Sequence, residues 1–472
     1  MKIEKPIRLI ELFAGYGSQA LALKYMGVSF EHWKVCEWNW KSNYAYALLH
    51  DMYFDHSQKM TKAEIIRFLQ GKGISSNWNT PMTDDQIAKM KEEDLRCAYN
   101  SIVSTKNTVD ISKTHAEDLT IEREREREHF YLLTYSFPCQ DLSMAGNKLG
   151  MAEGSHTRSS LLWEVARILR ELCERGERPD ALMMENVPQV HGKGNKESFD
   201  KWCTQLEEMG YKNFRKDLIA TDYGIPQTRK RCFMVSIKGG SAYSFQEPIP
   251  LKKKLKDFLL DSTEIDEKYY LTGEQIENIT TWKSNVEKRF EKNDDGNART
   301  LSTRAGANGF TCNYIKCEVL GRKANAGNYK ANSFILGVNG AVSTLDSSNF
   351  KHPKTVAIEN KRLAKTINQN ELRQGEEKAL DLYNQKAKSA VPTLTMPNHN
   401  SVALWNGYRV RKLLPKECFR LMGVKDEDFE KLQGKFPDTT LYHLAGDSIV
   451  TNVIMAVLGN LFERGKYDEK AK

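Results

Sequence analysis

Along the first half of the chain, short unbroken apolar runs alternate with stretches in which apolar residues recur every three to four positions. The unbroken runs are Ile7 to Phe13, Trp33 to Cys36, Phe130 to Tyr135, Ala181 to Met184, Leu218 to Ala220 and Cys232 to Ile237. They read as buried strands. Helical spacing lies between them, at Gln19 to Met26 (stopped by Gly27), Ser159 to Cys173 and Ser198 to Met209. Strand–helix alternation of this kind predicts an α/β fold built on a doubly wound, mostly parallel sheet. Residues 51–108 are polar and helix-like and read as an insertion between core elements. The alternating acids and arginines from Glu122 to Glu128 read as a solvated helical face.

After about Gly240 the pattern changes. Residues 241–407 are richer in Lys, Asn, Thr and Gly and lose helical periodicity, as expected of a second, smaller, loop-rich domain. Three segments there share a theme: Ala298 to Arg304, Ala341 to Asp346 and Ala390 to Thr395. Regular patterning returns near Val402, and the last apolar helix, Ser448 to Phe462, is expected to pack back on the first domain. The expected division is therefore 1–240, 241–407 and 408–472. A chain of 472 residues exceeds what one core normally organises.

Composition narrows the class modestly. Hydrophobic content of 40% and charged content of 28% are ordinary for a globular protein. No apolar run approaches the roughly 20 residues that span a bilayer, and the opening residues form no signal peptide, so a cytoplasmic protein without a membrane partner is expected. Nine cysteines without a Cys-x-x-Cys pair favour neither disulfides nor a zinc site, and no metal is expected. The net charge of +8 suits a polyanionic partner without requiring one.

Chemistry concentrates at strand ends, where ligands bind in open α/β sheets. Phe13-Ala14-Gly15-Tyr16-Gly17 between strand and helix makes a tight turn, and Glu37 closes the next strand with a group suited to ribose hydroxyls. Ala20 stands where a dinucleotide fingerprint has its third glycine, which favours an adenosine cofactor without phosphates. A glycine turn alone is common structural punctuation. Pro138 halts the third strand and delivers Cys139, a candidate nucleophile. A lone cysteine is more often a packed core residue. Glu185, at the end of a buried strand, can stay protonated and donate to a ring nitrogen, although an isolated Glu is usually a cap or surface group. Arg229 and Arg231, two apart at a strand start, face the same way.

Taken together these residues resemble the C5-cytosine DNA methyltransferases. The resemblance covers residues 7–237 and 409–462, through Phe13 to Gly17, Glu37-Trp38, Pro138-Cys139-Gln140, Glu185-Asn186-Val187, Gln227 to Arg231, Arg411 to Gly423 and Ala445 to Val450. It implies a Rossmann-like fold using S-adenosylmethionine and releasing S-adenosylhomocysteine. The substrate is then a cytosine flipped from duplex DNA and attacked at C6 by Cys139, with Glu185, Arg229 and Arg231 assisting. The cofactor residues it implies are Phe13, Ala14, Gly15, Gly17, Glu37, Trp38, Pro138, Leu161, Asp447, Ser448 and the pair Asp110-Ile111, for which Asp118-Leu119 is a rival. Expected DNA contacts are Gln140, Ser143, Gln227, Arg299, Arg304 and Thr393, with 241–407 in the place of a target-recognition domain. Asp447 departs from the family pattern, which has Asn there. A restriction–modification or phage-protection role, a cognate endonuclease partner and a monomeric enzyme are implied. Methylation of transfer RNA and a catalytically silent DNA-binding regulator are the competing readings.

Overall fold

The computed structural model describes residues 5–260 except 140, 143–149, 156 and 254, then 265, 266 and 269, seven short strands between 319 and 412, and residues 414–462. Its centre is a six-stranded sheet: β1 (Ile7–Leu12), β2 (Phe30–Cys36), β3 (Phe130–Tyr135), β4 (Ala181–Asn186), β5 (Tyr211–Ile219) and β6 (Lys230–Lys238). The strands lie in the order β2-β1-β3-β4-β6-β5. The first four are mutually parallel, whereas β6 runs antiparallel between β4 and β5. Buried residues fill all of β3 and β4, because helices cover both faces of the sheet.

Alternate residues of each strand feed two cores. On one face Leu9, Leu132 and Met183 pack with α1 (Ser18–Tyr25), part of α2 (Trp40–Leu49) and the C-terminal helices. On the other, Ile10, Leu133 and Met184 pack with α3 (Leu162–Glu174) and α4 (Lys196–Glu208). Those C-terminal helices span Pro415–Leu421, Asp426–Glu430, Asp438–Asp447 and Thr451–Gly459. The stretch Asp438–Gly459 is long and apolar enough to cross a membrane by length and composition, contrary to the expectation that no stretch approaches that length. Within its 18-residue apolar window, 83% is buried inside the protein, as a core helix requires.

Three further differences have physical causes. Beginning at Tyr211, β5 is longer than the apolar run Leu218 to Ala220 suggested, because its exposed outer residues are polar at the sheet edge. Glu122 to Glu128 is no helical face. Only Glu124–Glu126 forms a 3-10 turn, and Glu122 and Glu124 pair with Arg8 and Arg178, while buried Arg127 pairs with Asp180. Segment 51–108 builds a small core of its own, in which Ile65, Leu69, Ile87, Leu95, Ala98 and Ile102 pack against Trp40 and Tyr44 of α2.

Beyond residue 318 the described strands form a three-stranded and a four-stranded sheet. Arg409–Lys412, just past the expected boundary at 407, pairs with Thr355–Ile358 in the latter. The repeated segments near 298, 341 and 390 lie outside the described residues.

Trp202 of α4 is fully buried, donates to the Tyr135 hydroxyl at 3.1 Å and meets its ring edge-on. Trp202→Ala should therefore cost about 3–5 kcal/mol of stability, read as a lower urea midpoint. An unchanged midpoint would show that this face of the sheet does not depend on the contact.

Candidate active site

At the carboxyl ends of β1 to β4 lies one cavity of about 490 Å3. Its floor begins at the β1–α1 turn. Phe13 (φ 58°) and Gly15 (φ 56°) adopt left-handed conformations, and nothing lies within 4 Å of where a Gly15 Cβ would sit. The Gly15 N–H donates to the Glu37 carboxylate at 2.9 Å, and Asn39 N–H donates to its other oxygen at 2.7 Å. Asn107 brackets the Glu37 backbone through both of its amide atoms. Burial pushes the Glu37 carboxyl up to about 7, with the charge of Asp447 adding to the effect.

At the other end of the cavity Cys139 is part-exposed on the wall. Its turn is held from two sides. Asn186 donates to the Phe137 carbonyl at 3.0 Å, and the Ser159 hydroxyl donates to the Pro138 carbonyl at 2.7 Å. Because β6 is antiparallel to β4, the start of one strand meets the end of the other, Asn186 opposite Cys232. Arg231 Nε thereby comes 3.1 Å from the Glu185 carboxylate. Burial pushes Glu185 up while Arg231 and Arg229 oppose it. Burial likewise pushes the Cys139 thiol up, with Arg231 opposing and Glu185 adding, so it rests as a thiol near neutral pH.

Phe13, Gly15, Glu37, Trp38, Asp110, Ile111, Pro138, Cys139, Leu161, Glu185, Arg229, Arg231 and Asp447 therefore line a single space. The rival Asp118 instead caps its own short helix through His115 N–H, which favours Asp110-Ile111. Ala14, Gly17 and Ser448 do not line the cavity. A Cβ on Gly17 would meet His50 Nε2 at 2.4 Å, so this glycine serves close packing, and its N–H is already bonded to the Ala14 carbonyl. Ser448 receives the Tyr16 hydroxyl and donates to the Ala445 carbonyl.

Arg229 reaches back to the Gly446 and Ser448 carbonyls, at 3.3 and 2.7 Å, and braces the C-terminal helices. Gln227 is a correction: it is fully buried and donates to the Leu421 carbonyl, which removes it from any DNA surface. Gln140, Ser143, Arg299, Arg304 and Thr393 lie outside the described residues.

Sequence reading missed Ser42, Gly73, Trp78, Pro81, Val109 and Arg158 in the cavity wall. Trp78 and Pro81 come from the 51–108 segment, where no spacing singles them out. Trp78 has a left-handed backbone (φ 60°) and donates to the Ser42 hydroxyl at 3.0 Å. Arg158 ties the opposite rim to Asn79 at 2.8 Å.

Fold and cavity together define an α/β protein with one ligand-binding hollow at the strand ends, walled by a cysteine and a carboxylate–guanidinium pair. The chain belongs to the C-5 cytosine-specific DNA methylase family, which it matches over residues 68–463. It is a DNA cytosine-5 methyltransferase that uses S-adenosylmethionine. The type II methyltransferase M2.ScrFI of Lactococcus lactis subsp. cremoris is 27% identical to it over 461 residues, 97% of this chain and 99% of its own. The orphan methyltransferase M.SssI of Spiroplasma monobiae is 35% identical over 235 residues, 49% of this chain and 59% of its own. The solved methyltransferase EhMeth of Entamoeba histolytica shares the fold, with a TM-score of 0.52 at 13% identity, covering 98% of this chain and 100% of its own.

The residues present fit that cofactor. A cavity of this size is in the range for a nucleoside-sized ligand, with apolar walls from Phe13, Trp38, Ile111 and Leu161. Glu37 retains acceptor capacity beyond its two backbone donors, as a ribose diol needs. Three amides of the turn are already engaged, Ala14 with the Cys36 carbonyl, Gly15 with Glu37 and Gly17 with the Ala14 carbonyl, and so are not offered to a pyrophosphate.

Glu37 accepts best when ionised. Affinity for 5′-deoxy-5′-methylthioadenosine, which carries no titrating amine or carboxylate, should therefore fall as pH drops through about 7. Below that point the loss approaches about tenfold per pH unit, and Glu37→Gln should flatten the profile. A flat wild-type curve in calorimetry would remove Glu37 from ribose recognition.

Proposed function

We propose that Cys139 is the nucleophile that adds to C6 of a cytosine extruded from duplex DNA. The observation that supports this most directly is the shared cavity, which puts the thiol, the Glu185–Arg231 pair and the Glu37 end in one space. The base must leave the stack because its C6 is unreachable inside it. As the thiol proton passes to water and sulfur bonds to C6, Glu185 in its protonated form donates to N3 and accepts from the exocyclic amine. Charge developing on the ring is thereby stabilised, and C5 becomes nucleophilic. When bound, S-adenosylmethionine supplies the methyl group that C5 takes up. Loss of the C5 proton then expels the Cys139 thiolate and restores aromaticity.

Arg231 holds Glu185 and contacts the cytosine O2, while Arg229 fixes the backbone around Asp447. Residues 1–240 and 408–472 form the catalytic domain in this reading, and 241–407 the target-recognition domain. Gln140, Ser143, Arg299, Arg304 and Thr393 are its proposed DNA contacts, phosphates being held by Arg and bases read by loop side chains. So large a middle region favours DNA over transfer RNA, and an intact thiol beside Glu185 disfavours a silent regulator. The relatives include both type II and orphan enzymes, and we assign this chain a protective role in a bacterial or phage-infected cytoplasm, as a monomer, with or without a cognate endonuclease.

A duplex carrying 5-fluorocytosine cannot lose its C5 substituent and should trap the enzyme covalently. Cys139→Ala should abolish both the adduct and methyl transfer, and Glu185→Gln should slow transfer by about 100-fold or more. Persistence of the adduct in Cys139→Ala would overturn the assignment.

A further inference from the structure

We propose that Asp447, which stands at the cavity rim beside His443, makes the pocket select the positively charged methyl donor over the uncharged-sulfur product. The inference rests on the reading that this cavity holds S-adenosylmethionine, and it concerns how the site tells that molecule from S-adenosylhomocysteine. Asp447 ends the helix Asp438–Asp447 and lines the cavity together with Glu37 and Cys139. Its charge acts on both of those groups, so it faces the stretch between the ribose end and the reacting end. The methyl-bearing sulfur must lie in that stretch if its methyl group is to reach a ring held by Cys139.

The carboxylate stands exposed at the cavity rim with one ring close beside it. His443, one turn earlier, places Nδ1 2.8 Å from it. The His443 ring stacks on Trp78 with centroids 3.7 Å apart and planes 12° from parallel. Trp78 is itself tied to Ser42 at 3.0 Å, and both line the same cavity. On the backbone side, Arg229 grips the carbonyls on either side of Asp447, those of Gly446 and Ser448. The main chain is thus braced on both sides of Asp447, and its side chain stands beside a histidine that is itself stacked on a cavity-wall tryptophan.

Donor and product share adenosine, amine and carboxylate, and differ in one methyl group and one positive charge on sulfur. A carboxylate beside that sulfur attracts the extra positive charge of the donor, whereas its effect on the shared amine and carboxylate is common to both ligands. The amide found here in the related pattern has no such preference for charge. Product that loses this attraction leaves more readily.

Calorimetric titration of the wild-type protein and of Asp447→Asn with each ligand tests the idea. Discounted for partial exposure, the pair should be worth about fivefold to tenfold. Asp447→Asn should weaken S-adenosylmethionine by that factor and leave S-adenosylhomocysteine within about twofold. His443→Ala, which frees the carboxylate without removing it, should shift the ratio the same way by a smaller factor. Retained product binding and an unchanged melting temperature report that the pocket is intact.

Equal weakening of both ligands in Asp447→Asn would mean that Asp447 touches a part they share, and would overturn the proposal, as would no change in either. Failure of the wild-type protein to bind either ligand would instead bring down the cofactor reading of the cavity, and this inference with it.

Discussion

The Glu185 carboxylate and the Arg231 guanidinium meet at 3.1 Å in a wall with little access to water. Neither charge is tolerable there alone, because an unpaired buried ion is far costlier than a paired one. Their meeting requires two strands to run in opposite directions, one ending where the other begins. The single reversed strand, β6, is therefore what brings an arginine to the ligand-binding edge of an otherwise parallel sheet. The turn carrying Cys139 is then pinned to the same place by Asn186, the neighbour of Glu185. Removing either member of the ion pair would change the electrostatics of the thiol, whose turn is held separately by Asn186 and Ser159.

Much of this was legible in the sequence, and for a definite reason. Buried parallel strands are written as unbroken apolar runs, and their ends are punctuated by Pro138, by the glycines after Phe13 and by charged residues such as Glu37 and Glu185. Where chemistry sits at a strand end, periodicity finds it. Trp78 and Ser42 escaped because they reach the cavity from a helical insertion and a helix face, and no local pattern marks a residue that points into someone else's site. Gln227 was misplaced because a polar residue beside two arginines looks exposed, whereas its amide is spent on the Leu421 carbonyl. The direction of β6 was equally invisible, since an apolar run has no polarity of its own.

Glycines show the same limit. Gly15 and Gly17 look alike in the turn, yet Gly15 opens onto the cavity and Gly17 makes room for Tyr46 and His50 behind it. Sequence shows that a side chain is missing, and only packing shows what fills the space. The 51–108 segment adds a related point. It has its own small core yet contributes Trp78 and Pro81 to a wall built chiefly by other elements.

Tyr16 near one end of the chain bonds to Ser448 near the other, and α1 packs on the helix Thr451–Gly459. Such closure is slow to find by diffusion, since its partners are separated by more than four hundred peptide units. During synthesis the early helices must wait on the ribosome with their apolar faces uncovered. The hollow is left without one of its walls until Gly446 and Asp447 have been made. A chain halted short of them has uncovered apolar helices and an open pocket.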